Sequence, residues 1–409
     1  MSKNGKIIII GGGASGLAAA LAAAKECGGQ CVTVLERLDR VGKKLLATGN
    51  GRCNLSNRNL TPKNYHGENA GFCEYALSRF GPEQTLAWFR ALGLLTAAEK
   101  SGRVYPVSDS ANSVVDVLRL ALAQRENVEL RAGCEVQALR KKRGKFEVVL
   151  PEETLTGEAV IVCAGGCAGG KLGGTELGYR LLEGMGHHRT RLCPALVQLR
   201  TDTTYVRALK GVRCDARVTY RAPGTAEERR GEVQFTEYGV SGPAIFELSR
   251  AVSVHPVPGT LLLDLLPEVS EEEVLALLEA RCAGTPGWKA EELLTGFVHN
   301  RLGKTLLRSC GISFETDCSS LSADTLRAVC RAVKHFAIEV KGTMGMDGAQ
   351  VTAGGILTSE FRADTMESRL CRGLYAAGEV LDIDGDCGGY NLQWAWSSGR
   401  LAGELRGME

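Results

Sequence analysis

Two hydrophobic periods explain the first forty residues. Lys6 to Ile10 ends in an unbroken β-branched run and predicts a strand buried on both faces. The alanine-rich stretch Ala18 to Lys25 predicts a helix, and Cys31 to Leu35 predicts a second buried strand. Strand, helix and strand follow one another within about 30 residues, the length of a βαβ unit, so the chain opens as a doubly wound α/β sheet.

Farther on, Glu83 to Leu94 and Ser113 to Gln124 carry apolar residues at helical spacing. Val128 to Arg131, Glu135 to Leu139 and Phe146 to Leu150 predict short strands. Val160 to Cys163 predicts a buried strand that runs into the glycine-rich Gly165 to Gly174. Between Gly42 and Asn59 lies a polar, glycine-bearing stretch too long for a simple connection. After about His188 the pattern alternates: Val197 to Arg200, Ala216 to Tyr220, Glu232 to Phe235 and Leu261 to Leu265 predict a small antiparallel β domain. From Glu271 to Lys334 the period is helical, with Glu271, Glu272 and Glu273 in a first turn, where the helix dipole favours acids. Gly373 to Ala377 predicts a last buried strand.

Composition narrows the function. With 409 residues, 44% hydrophobic and 23% charged, the chain can bury a large core in two or three domains. Its 49 basic and 47 acidic residues leave a net charge of +2. That balance offers no electrostatic footprint for nucleic acid or an anionic membrane, so the expected partner is a small-molecule substrate. No apolar run approaches the ~20 residues that span a bilayer, and no apolar leader opens the chain, so a cytoplasmic protein is expected. Oligomeric state stays open. Fifteen cysteines without a C-x-x-C pair argue against a metal site or a disulfide framework, and for reduced thiols packed as small hydrophobes.

The first chemical signal is Gly11-x-Gly13-x-x-Gly16, set between strand and helix, with Glu36 following Gly16 by 20 residues (36 − 16) at the end of the next strand. In a dinucleotide fingerprint Gly11 permits the tight turn, Gly13 lets the backbone approach a pyrophosphate and Gly16 lets helix and strand pack. Ala14 and Ser15, in the helix's first turn, join them as expected cofactor-binding residues, as do Arg37 and Ala164 beside the strand ends. Glu36 suits the hydroxyls of an unphosphorylated ribose, as in FAD or NAD.

The second signal lies at the other end. A strand runs into Gly378-Glu379, followed by Asp384-Gly385-Asp386 and then by Gly388-Gly389-Tyr390-Asn391-Leu392-Gln393, which leads into a helix. In two-dinucleotide-fold flavoproteins such a strand brings an acid to the ribityl and pyrophosphate region, and the next helix aims its N-terminal N–H groups at the flavin ring. Gly378, Glu379, Asp386, Gly389, Asn391 and Leu392 are therefore expected to touch FAD.

The run Gly42 to Asn54 (GKKLLATGNGRCN), with Val351-Thr352-Ala353-Gly354-Gly355 and Gly388 to Gly399, resembles the bacterial flavoprotein family that includes aminoacetone oxidase and 3-dehydro-bile acid delta(4,6)-reductase. The resemblance extends from Lys6 to about Gly403. It implies a Rossmann-like FAD domain of the two-dinucleotide-binding type, with a mostly parallel sheet, interrupted by a β-barrel-like domain and a small helical domain. The implied divisions are 1–189 for the first part of the FAD domain, 190–266 for the barrel-like insert, 267–336 for the helical insert and 337–409 for the return, whose start has room for a last barrel strand. It also implies that Lys43, Lys44, Thr48, Gly49 and Asn54 wrap the FAD and that Val136, on an edge strand, presents its backbone to the adenine. Two segments depart from the family. Glu237, in Phe235 to Pro243, stands where many members have histidine, and Gly165 to Tyr179 differs in its middle. Both departures bear on substrate identity.

A flavin reductase also needs a proton donor for the atom next to the one that receives hydride. The candidates are Tyr238, Tyr105, Tyr390 and Cys53, the last being the most exposed-looking cysteine by sequence. No second glycine fingerprint follows a strand, so NADH or NADPH, the transient electron donor expected under the reductase reading that the resemblance implies, would have no domain of its own and would dock against the flavin. Three functions are weighed: a reductase of a C=C bond conjugated to a ketone, as in the bile acid member of the family; an amine oxidase of the aminoacetone type; and a flavin-binding or RNA-associated protein that keeps FAD without turnover, its RNA role disfavoured by the near-zero net charge and the lack of a Lys/Arg-rich tract.

Overall fold

Strand β1 (Ile7–Ile10) is buried along its whole length, as an all-isoleucine strand covered on both faces must be. In this computed structural model, which describes residues 5–26, 31–255 and 258–406, the chain divides into two units, Met1–Cys193 with Gln350–Glu409 and Pro194–Ala349. In the first unit β1 leads through helix α1 (Ala14–Glu26) to β2 (Val32–Leu35), and β1 and β2 pair in parallel with Ile7 opposite Val32. Then come α2 (Lys43–Ala47), α3 (Cys73–Arg79), α4 (Pro82–Ala91), α5 (Ala111–Ala123), β3 (Val128–Arg131), β4 (Ala159–Val162) and α6 (Leu177–Glu183). The strand expected over Glu135 to Leu139 instead forms over Ala138–Lys142, because Gly133 and Cys134 donate to the carbonyls of Leu38 and Glu36 and hold the chain against the end of β2. Val136 is thus buried but lies outside any strand.

The second unit is a closed six-stranded barrel with helices. Strands β5 (Leu199–Thr201), β6 (Arg213–Ala222), β7 (Thr225–Phe235), β8 (Gly239–Ser241), β9 (Gly259–Asp264) and β10 (Phe336–Thr343) close in the order β5-β8-β7-β6-β9-β10. Alternation fills the interior with Val218, Tyr220, Val233, Phe235, Leu261 and Leu263. Helix α7 (Pro243–Val254), which no pattern suggested, sits between β8 and β9, and α8 (Glu271–Gly284), α9 (Asn300–Ser309) and α10 (Ala323–Lys334) fill the helical stretch.

The chain then returns to the first unit with β11 (Leu374–Ala376) and α11 (Tyr390–Gly403). Strand β11 completes a parallel sheet of order β11-β4-β1-β2-β3. The cysteines of the described residues are free thiols apart from Cys31, which is disulfide-bonded, a departure from the reading of uniformly reduced thiols; Cys27 lies outside the described residues. Among the described residues no helix is long and apolar enough to cross a membrane.

Candidate cofactor cradle in the first unit

The turn between β1 and α1 leaves no freedom at two of its glycines and full freedom at the third. Gly11 has φ +108, and a Cβ there would stand 2.3 Å from the Cys163 carbonyl oxygen. At Gly16 it would stand 1.8 Å from the Gly11 oxygen, whereas at Gly13 it would meet no described atom within 4 Å. Space is thus kept open in front of the α1 N-terminus, which carries about half a positive charge. Glu36 is clamped beside it: Oε2 accepts from the Gly12 N–H at 2.9 Å and Oε1 from the Leu38 N–H at 2.8 Å.

The loop from Gly42 folds over this turn, and the Gly42 N–H donates to the Gly12 oxygen at 2.9 Å. Gly49, Asn50, Gly51 and Cys53 all have positive φ. For the two non-glycines such backbone costs about 1–2 kcal/mol each, and it persists because the surroundings hold it. The consequence overturns the expectation for Cys53. The left-handed turn points its thiol inward, where it is 0% exposed, and burial pushes its pKa up to about 12. The Thr48 hydroxyl donates to the Leu45 oxygen at 2.7 Å and finishes α2.

Residues that are neighbours in sequence part company in space. Lys43 lies 3.8 Å from Asp39 on the surface, while Lys44 reaches Glu379 at 2.8 Å across 335 residues of chain. The Glu379 carboxylate also accepts from the Thr352 N–H at 2.8 Å. Its turn abuts the fingerprint helix, since a Cβ at Gly378 would stand 2.6 Å from the Ser15 hydroxyl. At the start of α11, Gly389 (φ +100) has the Ser56 oxygen 2.4 Å and the Asn54 Oδ1 2.8 Å from where a Cβ would be. That Asn54 oxygen is buried without a hydrogen-bond partner. Fingerprint, loop, Gly378–Glu379 turn and α11 N-terminus are therefore joined into one cradle.

Other expected cofactor residues have structural partners of their own. Asp386 accepts from Asn64 at 3.1 Å and lies 2.8 Å from His66 Nε2. The Asn391 side chain is exchanged with the backbone of Gly385 at 2.8 Å. Arg37 donates to the Gly173 oxygen at 3.3 Å, Ala164 backs onto Gly178, and Ala14 and Leu392 are partly buried against the core.

Of the proton-donor candidates, Tyr105 stands behind the loop. A Cβ on Gly49 would be 3.2 Å from its ring, the Arg52 guanidinium lies 4.0 Å above it, and burial raises its phenol pKa. Tyr390 is buried, and its carbonyl accepts from the Tyr65 hydroxyl at 3.0 Å. Tyr238 belongs to the second unit, in the turn between β7 and β8, where its carbonyl accepts from the Thr201 N–H at 3.1 Å. Beside it, Glu237 is exposed and pairs with Lys210 at 2.6 Å.

Sequence reasoning missed Gln393. Fully buried, it accepts from Ser56 at 2.6 Å and donates to the Phe80 oxygen at 2.9 Å and to Thr85 at 2.8 Å, tying the start of α11 to α4 and the loop. A glutamine inside the apolar Leu392 to Trp396 was the available signal.

The HI0933-like protein Rossmann domain family matches residues 5–405. A 3-dehydro-bile acid delta(4,6)-reductase from Clostridium scindens is 40% identical over 402 residues, 97% of this chain and 98% of the relative. A ribosomal RNA dihydrouridine synthase from Escherichia coli is 31% identical over 395 residues, 96% of this chain and 95% of the relative. Among solved structures, the FrdA chain of Escherichia coli quinol fumarate reductase matches with a TM-score of 0.51 at 17% identity, over 99% of this chain and 70% of that one, a likeness of fold. A family match through nearly the whole length, on a chain whose parallel sheet carries the glycine fingerprint, places this protein in the HI0933-like family, the one that includes 3-dehydro-bile acid delta(4,6)-reductase.

Proposed function

We propose that this protein is an FAD-dependent reductase that adds hydride to a carbon–carbon double bond conjugated to a ketone on a bile acid or related steroid, with NADH or NADPH as transient donor. The observation that carries this reading is the 40% identity, over 97% of the chain, with a reductase named for such a substrate. The cradle fits FAD. Gly13 leaves room for a pyrophosphate at the α1 N-terminus, Glu36 is held where ribose hydroxyls would meet it, and the orphaned Asn54 oxygen offers an acceptor beside the α11 N-terminus. Lys44, Glu379 and Gly378 complete the holding set, with Val136 and Ala164 toward the adenine and pyrophosphate. When bound, FAD supplies a two-electron carrier between nucleotide and substrate.

The chain's own groups do the rest. The first N–H groups of α11 have no intrahelical acceptor, so they would stabilise negative charge developing on a flavin held in front of them. Tyr105, a phenol protonated at neutral pH whose pKa burial raises further, can donate a proton, and Tyr238 is the candidate from the second unit. Cys53 is a poor donor in its buried setting.

A second reading, reduction of uracil in RNA, is favoured by the 31% identity with the ribosomal RNA dihydrouridine synthase. The C5=C6 bond of uracil is also conjugated to a carbonyl, so the two readings share their chemistry and differ in substrate. The charge of the second unit, though not that of the first, favours the steroid. The second unit carries 18 lysines and arginines against 20 aspartates and glutamates, net −2. On its long hairpin Arg213, Arg229 and Arg230 are paired with Glu232, Glu247 and Asp215, which leaves little to gather phosphates.

The test is anaerobic stopped-flow spectroscopy of the purified protein. Flavin bleaching by NADH or NADPH, reversed by a 3-oxo-4,6-diene bile acid, is expected. Reversal by ribosomal RNA alone selects the second reading, and bleaching by an amine but by neither nucleotide selects an oxidase. Tyr105→Phe and Tyr238→Phe identify the donor by a roughly 10²–10⁴-fold loss confined to the substrate step.

A further inference from the structure

At the far end of the first unit lies a concavity of about 370 Å³, walled by Lys25, Arg79, Phe80, Trp88, Arg400 and Glu404. Lys25 follows Gly13 by 12 residues (25 − 13) along α1, about 18 Å at 1.5 Å per residue, so the groove is separate from the cofactor cradle. Lys25, Arg79 and Arg400 each sit in the last turn of a helix. That placement offsets the helix dipoles, but the sum leaves a surplus. Three C-terminal ends carry about −1.5 charges together, against +3 from the side chains. None of the three has a carboxylate within ion-pair distance among the described residues, and Glu404 is taken by Arg406 at 2.8 Å. The wall behind them is aromatic: Phe80 and Trp88 meet edge to face with centroids 5.8 Å apart, and the Arg400 guanidinium lies 4.7 Å over the Phe80 ring.

We infer that this groove binds a nucleoside phosphate at a site of its own, with the phosphate among Lys25, Arg79 and Arg400 and the base against Trp88. Guanidinium groups match phosphate oxygens in a fork, and a flat base gains from stacking on an aromatic face. The volume lies at the small end of ligand pockets, which suits a mononucleotide rather than a dinucleotide.

The probe is AMP, titrated by calorimetry into the flavin-loaded protein so that the fingerprint is occupied. Saturable binding tighter than that of inorganic phosphate, weakening as salt is raised, is expected. Lys25→Gln with Arg79→Gln, both at exposed positions, should weaken it at least tenfold while the circular dichroism spectrum stays that of the folded protein, and Trp88→Phe should narrow the preference for AMP over phosphate. Absence of saturable AMP binding, equal affinity for phosphate and AMP, or binding that survives the double charge variant but is lost in Glu36→Arg would overturn the inference. It does not rest on the proposed reaction, and a protein inactive toward steroids could still pass this test.

Discussion

Each of the two units is packed internally in its own way. In the first, backbone meets backbone: a Cβ at Gly399 would stand 2.2 Å from the Ser15 oxygen and one at Gly403 2.4 Å from the Ala19 oxygen, so α11 can lie on α1 only because both positions are glycine. In the second, side chains fill a barrel, down to the Tyr220 ring against Gly259, and among the described residues close approach of backbone to backbone is confined to the two ends of β8, at Gly239 and Gly242. Gly284 and Gly296 meet nothing within 4 Å. Where the backbone is the working surface, space dictates the residue. Where side chains fill an interior, alternation is enough and many residues would serve.

The sharpest way to break this contrast is Gly16→Ala. With the Gly11 oxygen 1.8 Å from the new methyl, the substitution should abolish flavin retention, read as loss of visible absorbance in the purified protein. A yellow, stable variant would show that the turn can give. Next in size is Gln393→Leu, which removes partners from Ser56, Thr85 and Phe80 in a fully buried setting and should cost about 2–4 kcal/mol, measured by urea unfolding. A loss under about 0.5 kcal/mol would mean that the network contributes little.

A smaller effect concerns pH and the first unit alone. His187 is buried, stacks on Phe361 with centroids 4.5 Å apart and lies 2.9 Å from both Glu360 and Ser368. Burial lowers its pKa even with Glu360 opposing, so the folded state prefers the neutral ring. Its contribution is complete above the unfolded value of about 6.5 and is lost as pH falls through the lower folded value. Lowering pH from about 7.5 to about 5.5 should reduce the thermal midpoint by roughly 2–4 °C. In His187→Gln that pH dependence should flatten; an unchanged slope would assign it to other groups. The smallest effect is expected at Gly284→Ala in the last turn of α8, a gain of about 0.5 kcal/mol from helix propensity, checked by thermal unfolding. A loss there would show that the second unit also depends on bare backbone.

The fingerprint was legible because everything it needs is local: a buried strand, three spaced glycines, a helix and an acid 20 residues on. The antiparallel strands of the second unit announced themselves through alternation, while their closure into a barrel was expected only from the family resemblance, and α7 went unread. The expectations that changed depend on what lies across the fold. Cys53 sits in a polar, glycine-rich stretch that reads as exposed, yet a left-handed turn carries its thiol into the core. The strand near Val136 moved by three residues because hydrogen bonds to Glu36 and Leu38 outweigh the local alternation.

The amino-acid sequence by itself determined the dinucleotide-binding start, the β texture of the second unit and the family, because each is written in spacing along the chain. Only the tertiary structure decided that Lys44 pairs with Glu379 while Lys43 turns to the surface, that Asp386 is engaged by His66 and that Asn54 presents an unpartnered oxygen at the start of α11. These are contacts between segments some 300 residues apart, where burial and the competition for partners choose each side chain's role, and no local pattern encodes the outcome of that competition.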